Sequence, residues 1–184
     1  IAYFGRPADP PGIKYWLSTV KKGIKLRDIA HQLSSQVEYK KSLVYGKNIE
    51  FQINQIYLNL FNRKADFSRL SYWSALIEKG SHDISDLVFD LICNSSDFSQ
   101  NNNYQTIMDR KNLCNKVVFA ELFTKELDST LNGVSLYQPL STNPWIAGHA
   151  LSAGVDLIKK IGVQKSFKPD LVKDTIQSIL VFSK

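Results

Sequence analysis

YFGRPADPPGIKYWLSTVKKG, residues 3–23, and LFNRKADFSRLSYWSALIEKG, residues 60–80, are one segment written twice. Phe4 matches Phe61, Arg6 matches Arg63, Ala8 matches Ala65 and Asp9 matches Asp66. Tyr15 and Trp16 match Tyr72 and Trp73, and Lys22 and Gly23 match Lys79 and Gly80. The offset is constant and no gap is needed. Ile13/Leu70 and Val20/Ile77 are apolar in both copies. The chain has three tryptophans, so two of them falling in register marks an internal repeat.

Each shared position has a physical reading. Gly5 and Asn62 occupy the same place, and these two residue types best tolerate the left-handed conformation that closes a helix. A helix is therefore expected to end at Phe4 and at Phe61. Asp9 and Asp66 fall where the next helix needs an N-cap, and Pro10 suits its first position. Arg6 and Arg63 lie in the turn between, where a guanidinium would bond the carbonyls that end the preceding helix. Arg6, Asp9, Arg63 and Asp66 are thus assigned to the turn itself. From the cap onward, Ile13, Trp16, Leu17 and Val20 recur at helical spacing, as do Leu70, Trp73 and Ile77. Both tryptophans are expected in the core, and Gly23 and Gly80 close the helix.

Working outward, a second helix follows in each copy. Leu26, Ile29, Ala30 and Leu33 form one apolar stripe, and Ile84, Leu87, Val88, Leu91 and Ile92 form another. Residues 49–60 are helical and lead into the second turn. Residues 104–127 form one long helix, 128–144 a loop rich in turn residues, and 144–161 and 169–182 two further helices. No segment alternates with period two, so the expected class is all-α: a bundle of two tandem repeats of helix-turn-helix-helix followed by about three more helices. Residues 1–103 hold the repeats, 1–46 the first and 47–103 the second. Residues 104–184 form a C-terminal helical part that packs on them.

The chain has 184 residues, 43% hydrophobic and 22% charged, with a net charge of +6. That is an ordinary globular composition with a lean toward acidic partners. The lysines are scattered, as on solvated helix faces. No apolar run approaches the ~20 residues that span a bilayer. The chain opens at Ile1, without a methionine and inside the first motif, so the sequence is expected to continue upstream. Cys93 and Cys114 lie in apolar helical contexts and are expected as buried thiols.

The stretch GRPADPPGIKYW (5–16), followed by a helix and SSQVEY, resembles the helical repeat module of bacterial surface-layer and RTX-type secreted proteins, found notably in cyanobacteria. NRKADFSRLSYW (62–73) fits the same pattern with Asn for Gly and no prolines. NKVVFAELFTKELD (115–128) is similar to the segment on the C-terminal side of the repeat in those proteins. The resemblance covers roughly residues 1–130. It implies an extracellular, cell-surface protein whose remainder carries calcium-binding repeats. It implies two kinds of partner: outer-membrane lipopolysaccharide or anionic surface polysaccharide, and other copies of the same protein in a lattice. The fold is also similar to that of phycobilisome linker polypeptides, which implies an intracellular scaffold as the alternative.

The candidate site residues are few. Tyr137 and Trp145, in the loop region, are the candidates for stacking on sugar rings, and Lys159 and Lys160 for binding their acidic groups. Asp128 and Asn132 in DSTLNG (128–133) are the candidate calcium ligands, but a distal Glu is missing. No cofactor is expected beyond that ion. His31, His82 and His149 are isolated and do not form a metal spacing. Asp28 with His31 and Asp83 with His82 are expected as surface pairs. No nucleophile elbow or phosphate loop appears, so the chain is not expected to be an enzyme. No face concentrates arginine near the helix starts, so nucleic acid is not an expected partner.

Overall fold

A computed structural model describes residues 1–42, 44–96, 103–130, 133–137, 150–163 and 168–182. The described residues form helices joined by turns and short connections, without strands. The first copy contains α1 (Pro10–Lys21), α2 (Leu26–Ser34) and the short α3 (Val37–Lys40). The second contains α4 (Ile49–Phe61), α5 (Phe67–Glu78) and α6 (Ile84–Ser96). They are followed by α7 (Tyr104–Ser129), α8 (Gly133–Leu136), α9 (Ala150–Lys160) and α10 (Pro169–Phe182). The segment expected to be loop at 128–144 thus contains α8, and the helix expected from 144 is described from Ala150.

The shared turn is built the same way twice. Gly5 has φ +58° and Asn62 has φ +59°. Asp9 accepts from the Gly12 amide at 2.7 Å, and Asp66 accepts from the Arg69 amide at 2.9 Å. Each cap satisfies an amide that the first helical turn leaves without a partner. Asp66→Ala is therefore expected to cost about 0.5–2 kcal/mol, with Asp66→Ser or Asp66→Asn restoring most of it. Thermal melts of the three variants check this; an unchanged melting temperature for Asp66→Ala would remove the cap from the account.

The second helices of the two copies, α2 and α6, pack on each other. Arg27 of α2 pairs with Asp86 and Asp90 of α6 and lies over the Phe89 ring. Two cores result. The first joins Ala2, Tyr3 and Tyr39 to Ile53, Ile56 and Leu60 of α4, Trp73 of α5 and Leu87 of α6. The second joins Phe119, Phe123 and Leu127 of α7 to Tyr137, Ile158 of α9 and Ile176 of α10. Helix α7 serves both: its Leu113 packs on the first core and its later half builds the second.

Several expectations change. Trp73 is in the core at 3% exposure, but Trp16 is only half-buried. Leu17 and Val20, on the α1 stripe, are exposed. The stripe is real in sequence, but among the described residues nothing covers that side of α1 as α4 covers α5. Cys93 and Cys114 are exposed. They sit on the outward edges of stripes whose inner members, Leu91 and Phe119, are buried.

Candidate functional site

The turn arginines do more than the sequence implied. Arg6 donates through Nε and Nη2 to both Glu38 oxygens, at 2.7 and 2.6 Å. Arg63 donates in the same forked way to Asp109, at 2.8 and 2.5 Å. Each also donates through Nη1 to the next carbonyl in sequence, Pro7 or Lys64, at 2.9 Å. Asp9 and Asp66 stand 3.8 and 4.0 Å away. The forked geometry is the strong form of the ion pair, and Glu38 raises the Arg6 pKa against the opposing effect of burial. Arg6 is buried, with its guanidinium near the rings of Phe4 and Tyr137. The acid partners come from non-equivalent places, α3 in one copy and α7 in the other.

Residues 2–4 form a turn and not the helix end expected at Phe4, whereas α4 does end at Phe61; the carbonyls before both turns have other donors, which corrects the expected role of the arginines. The Asn59 side chain donates to Ala2 O at 2.7 Å, and Asn112 donates to Phe61 O at 2.9 Å. Lys116 Nζ donates to Leu58 O at 3.3 Å and to Asn59 O at 2.6 Å. This cation at the C-terminus of α4 is favoured by the helix dipole. Burial nevertheless pushes its pKa down to about 8. Between about pH 8 and the ordinary lysine value the unfolded chain holds the proton that the folded chain releases, so stability rises with pH there. From about pH 10 upward this reverses. Burial raises the pKa values of Tyr3, Tyr39, Tyr57 and Tyr137, so their ionisation favours unfolding. The rise between pH 8 and 10 is expected to vanish in Lys116→Met, as urea melts across that range would record; an equal slope in both proteins contradicts it.

The candidate binding residues scatter. Tyr137, expected on the surface, has 0% exposure; its hydroxyl donates to Pro7 O at 2.8 Å and its ring packs 5.4 Å from that of Phe123. It is a core residue, because the short α8 turns it inward against α7 and the first turn. Trp145 lies outside the described residues. Lys159 and Lys160 are exposed in the last turn of α9. Asp128 holds Lys14 at 2.8 Å, and Asn132 lies outside the described residues. Among the described residues no group of three or more His, Cys, Asp or Glu could hold a metal ion. His31 lies 3.4 Å from Asp83, not paired with Asp28; His149 is outside the described residues. No described helix is long and apolar enough to cross a membrane.

Two features of the first copy stand out against the second. One is an apolar groove of about 780 Å³ between α1, α2 and α6, whose lining includes Ile1, Phe4, Trp16, Leu26, Ile29 and Leu33. The other is the corner between α1 and α2. The N-cap position of α2 is Lys25, which makes no side-chain capping bond. The corresponding Asp83 before α6 accepts from the Ser85 and Asp86 amides at 2.7 and 3.2 Å. Lys21, Lys22, Ile24 and Leu26 are exposed around Lys25. The second copy has Glu78, Lys79, Ser81 and His82 in this stretch before Asp83. A sequence signal for this corner existed, since Gly-Ile-Lys (23–25) precedes α2 where the one-residue-longer Gly-Ser-His-Asp (80–83) precedes α6.

The chain matches no family model, and neither the curated proteins nor the solved structures give a match.

Proposed function

We propose that the chain is a non-catalytic module that holds a bacterial surface protein to the anionic outer face of its cell, through the α1–α2 corner of the first copy. The observation that carries this is Lys25 standing where the second copy has a capping Asp. A cation at a helix N-terminus opposes the dipole and forgoes the cap. Local rules broken without structural compensation point to function. Lys21, Lys22 and Lys25 supply charge for phosphates and acidic sugars, and Ile24 and Leu26 supply apolar surface for the lipid or glycan below them. Among the described residues none of these lysines has an ion-pair partner. The resemblance to surface-layer and RTX-type modules supports the same reading and adds lattice contacts between copies and extracellular placement.

A second reading, an intracellular scaffold of the phycobilisome-linker kind, is favoured by the apolar groove, which suits a polypeptide partner. Sedimentation with vesicles of lipopolysaccharide in phosphatidylcholine, against phosphatidylcholine alone, separates the two. The anchoring reading expects binding only to the lipopolysaccharide vesicles, weakening with salt because the attraction is screened. Absence of binding at low salt, with and without calcium, removes that reading and leaves the scaffold.

A further inference from the structure

We propose that each copy presents one subsite for an acidic polysaccharide, built from Tyr15 with Lys22 on the first helix and from Tyr72 with Lys79 on its counterpart, so that one chain holds one polymer at two points. This deepens the anchoring reading and rests on it for the class of partner. It also supplies the sugar-stacking residues that the buried Tyr137 cannot be.

The solvent-facing stripe of the repeated helix carries the argument. Pro11, Lys14, Tyr15, Ser18, Lys21 and Lys22 follow one another at helical spacing, so they share one side of α1 and its C-cap. All of them are exposed. The matched residues of the second copy, Ser68, Ser71, Tyr72, Ala75, Glu78 and Lys79, are all exposed as well. Substitution at such positions changes stability little. Most of these pairs accordingly differ, and Lys21/Glu78 even reverses charge. Tyr15/Tyr72 and Lys22/Lys79 are the exceptions. Between residues 10–22 and 67–79 the one further identity is Trp16/Trp73, the residue on the inner side.

Tyr15 is 58% exposed and Tyr72 is 56% exposed. The values agree although α5 packs on α4 and α1 has no such neighbour among the described residues. The helix itself therefore sets the ring outward. Each ring stands nearly perpendicular to the adjacent tryptophan, at 78° and 80° with 5.0 and 5.4 Å between centroids. A contact of this kind takes up at most one face of the phenol. The tryptophan thus orients the ring and leaves a face open. A tyrosine held in this way offers a broad amphipathic surface at small entropic cost, which suits the apolar face of a pyranose. Each lysine follows two turns later, about 10 Å along the axis. A cation at a helix C-terminus is favoured by the dipole, which accounts for its charge. Among the described residues neither lysine has an ion-pair partner, so the ammonium can meet a carboxylate of the polymer.

Titration calorimetry of the full chain with alginate, in which every ring has a carboxylate, tests this against neutral dextran. The native protein is expected to bind alginate and not dextran. Tyr15→Ala and Tyr72→Ala are expected to weaken binding to the same extent, each by about a hundredfold, because either one removes the gain from two linked sites. The double substitution is expected to abolish binding, and Tyr15→Phe with Tyr72→Phe, which keeps both stacking faces, to bind nearly as the native chain does. Lys79→Glu, in the copy without the anchoring corner, is expected to act like Tyr72→Ala. Melting curves of each variant separate lost binding from lost fold. The proposal is overturned if the native chain does not bind alginate, if dextran binds as tightly, or if either single alanine variant binds like the native chain. Loss of lipopolysaccharide-vesicle binding in Lys25→Asp, with alginate binding intact in the double alanine variant, would overturn this proposal and leave the anchoring reading. The predicted alginate losses in a chain that binds no lipopolysaccharide vesicles would support the two subsites and overturn the anchoring reading alone.

Discussion

Glu38→Ala is expected to destabilise the protein by about 3–5 kcal/mol, the cost of breaking a buried ion pair from one side. The reason lies in what remains. Arg6 would stay buried between Phe4 and Tyr137 with Pro7 O as its close acceptor and Asp9 at 3.8 Å. Its charge cannot be given up, because a guanidinium stays protonated. Removing both charges together, as Arg6→Met with Glu38→Leu, is expected to recover most of the loss, since paired burial is nearly neutral against a packed apolar pair. Asp109→Ala breaks the matching clasp of the second copy and is expected to cost less, because Arg63 is more exposed than Arg6 and water can replace its partner. Urea melts followed by circular dichroism rank the variants. A Glu38→Ala protein as stable as Asp109→Ala would mean that the first clasp is not a buried pair in solution.

The next largest loss is expected from Tyr137→Ala, about 3–5 kcal/mol by analogy with other buried aromatic truncations. The ring fills the second core beside Phe123, and the hydroxyl ties α8 to the first turn through Pro7 O. Tyr137→Phe removes that hydrogen bond and the hydroxyl's interaction with Arg6, while Arg6 still donates to the same carbonyl. It is therefore expected to cost about 0.5–1.5 kcal/mol. Lipopolysaccharide-vesicle binding by Tyr137→Phe should equal that of the native protein. Native-like stability in Tyr137→Ala together with lost binding would return this residue to the surface role that its sequence context suggested.

The two tyrosine readings show where sequence is and is not enough. The repeat was legible because its residues act locally: Asn62 through its left-handed backbone and Asp66 through its carboxylate on the Arg69 amide fix a turn, and the apolar stripes of α2 and α6 follow from helical spacing. The long helix α7 was legible for the same reason. The partners of Arg6 and Arg63 were not, since Glu38 and Asp109 lie on different elements and no periodicity links them. Tyr137 looked solvent-facing because Gly, Pro and Asn surround it, yet a one-turn helix aims it inward. Lys116 carried no signal either, because its partners are carbonyls far along the chain. The openness of α1 could not be read at all: its stripe is that of a buried helix, and exposure depends on what lies opposite.

The central claim is that residues shared by the two copies build the fold, while the α1–α2 corner, where the copies diverge, meets the anionic surface. Lys25→Asp tests it with two readouts that should move in opposite directions. The new carboxylate occupies the N-cap of α2, as Asp83 does for α6, so stability should rise by about 1 kcal/mol. Reversing one charge at the corner removes a cation and adds an anion, about 2 kcal/mol near such a surface, or roughly thirtyfold in vesicle affinity. The account predicts a higher melting temperature together with this loss of lipopolysaccharide-vesicle binding. A Lys25→Asp protein that is more stable and binds the vesicles as tightly as the native chain would contradict it.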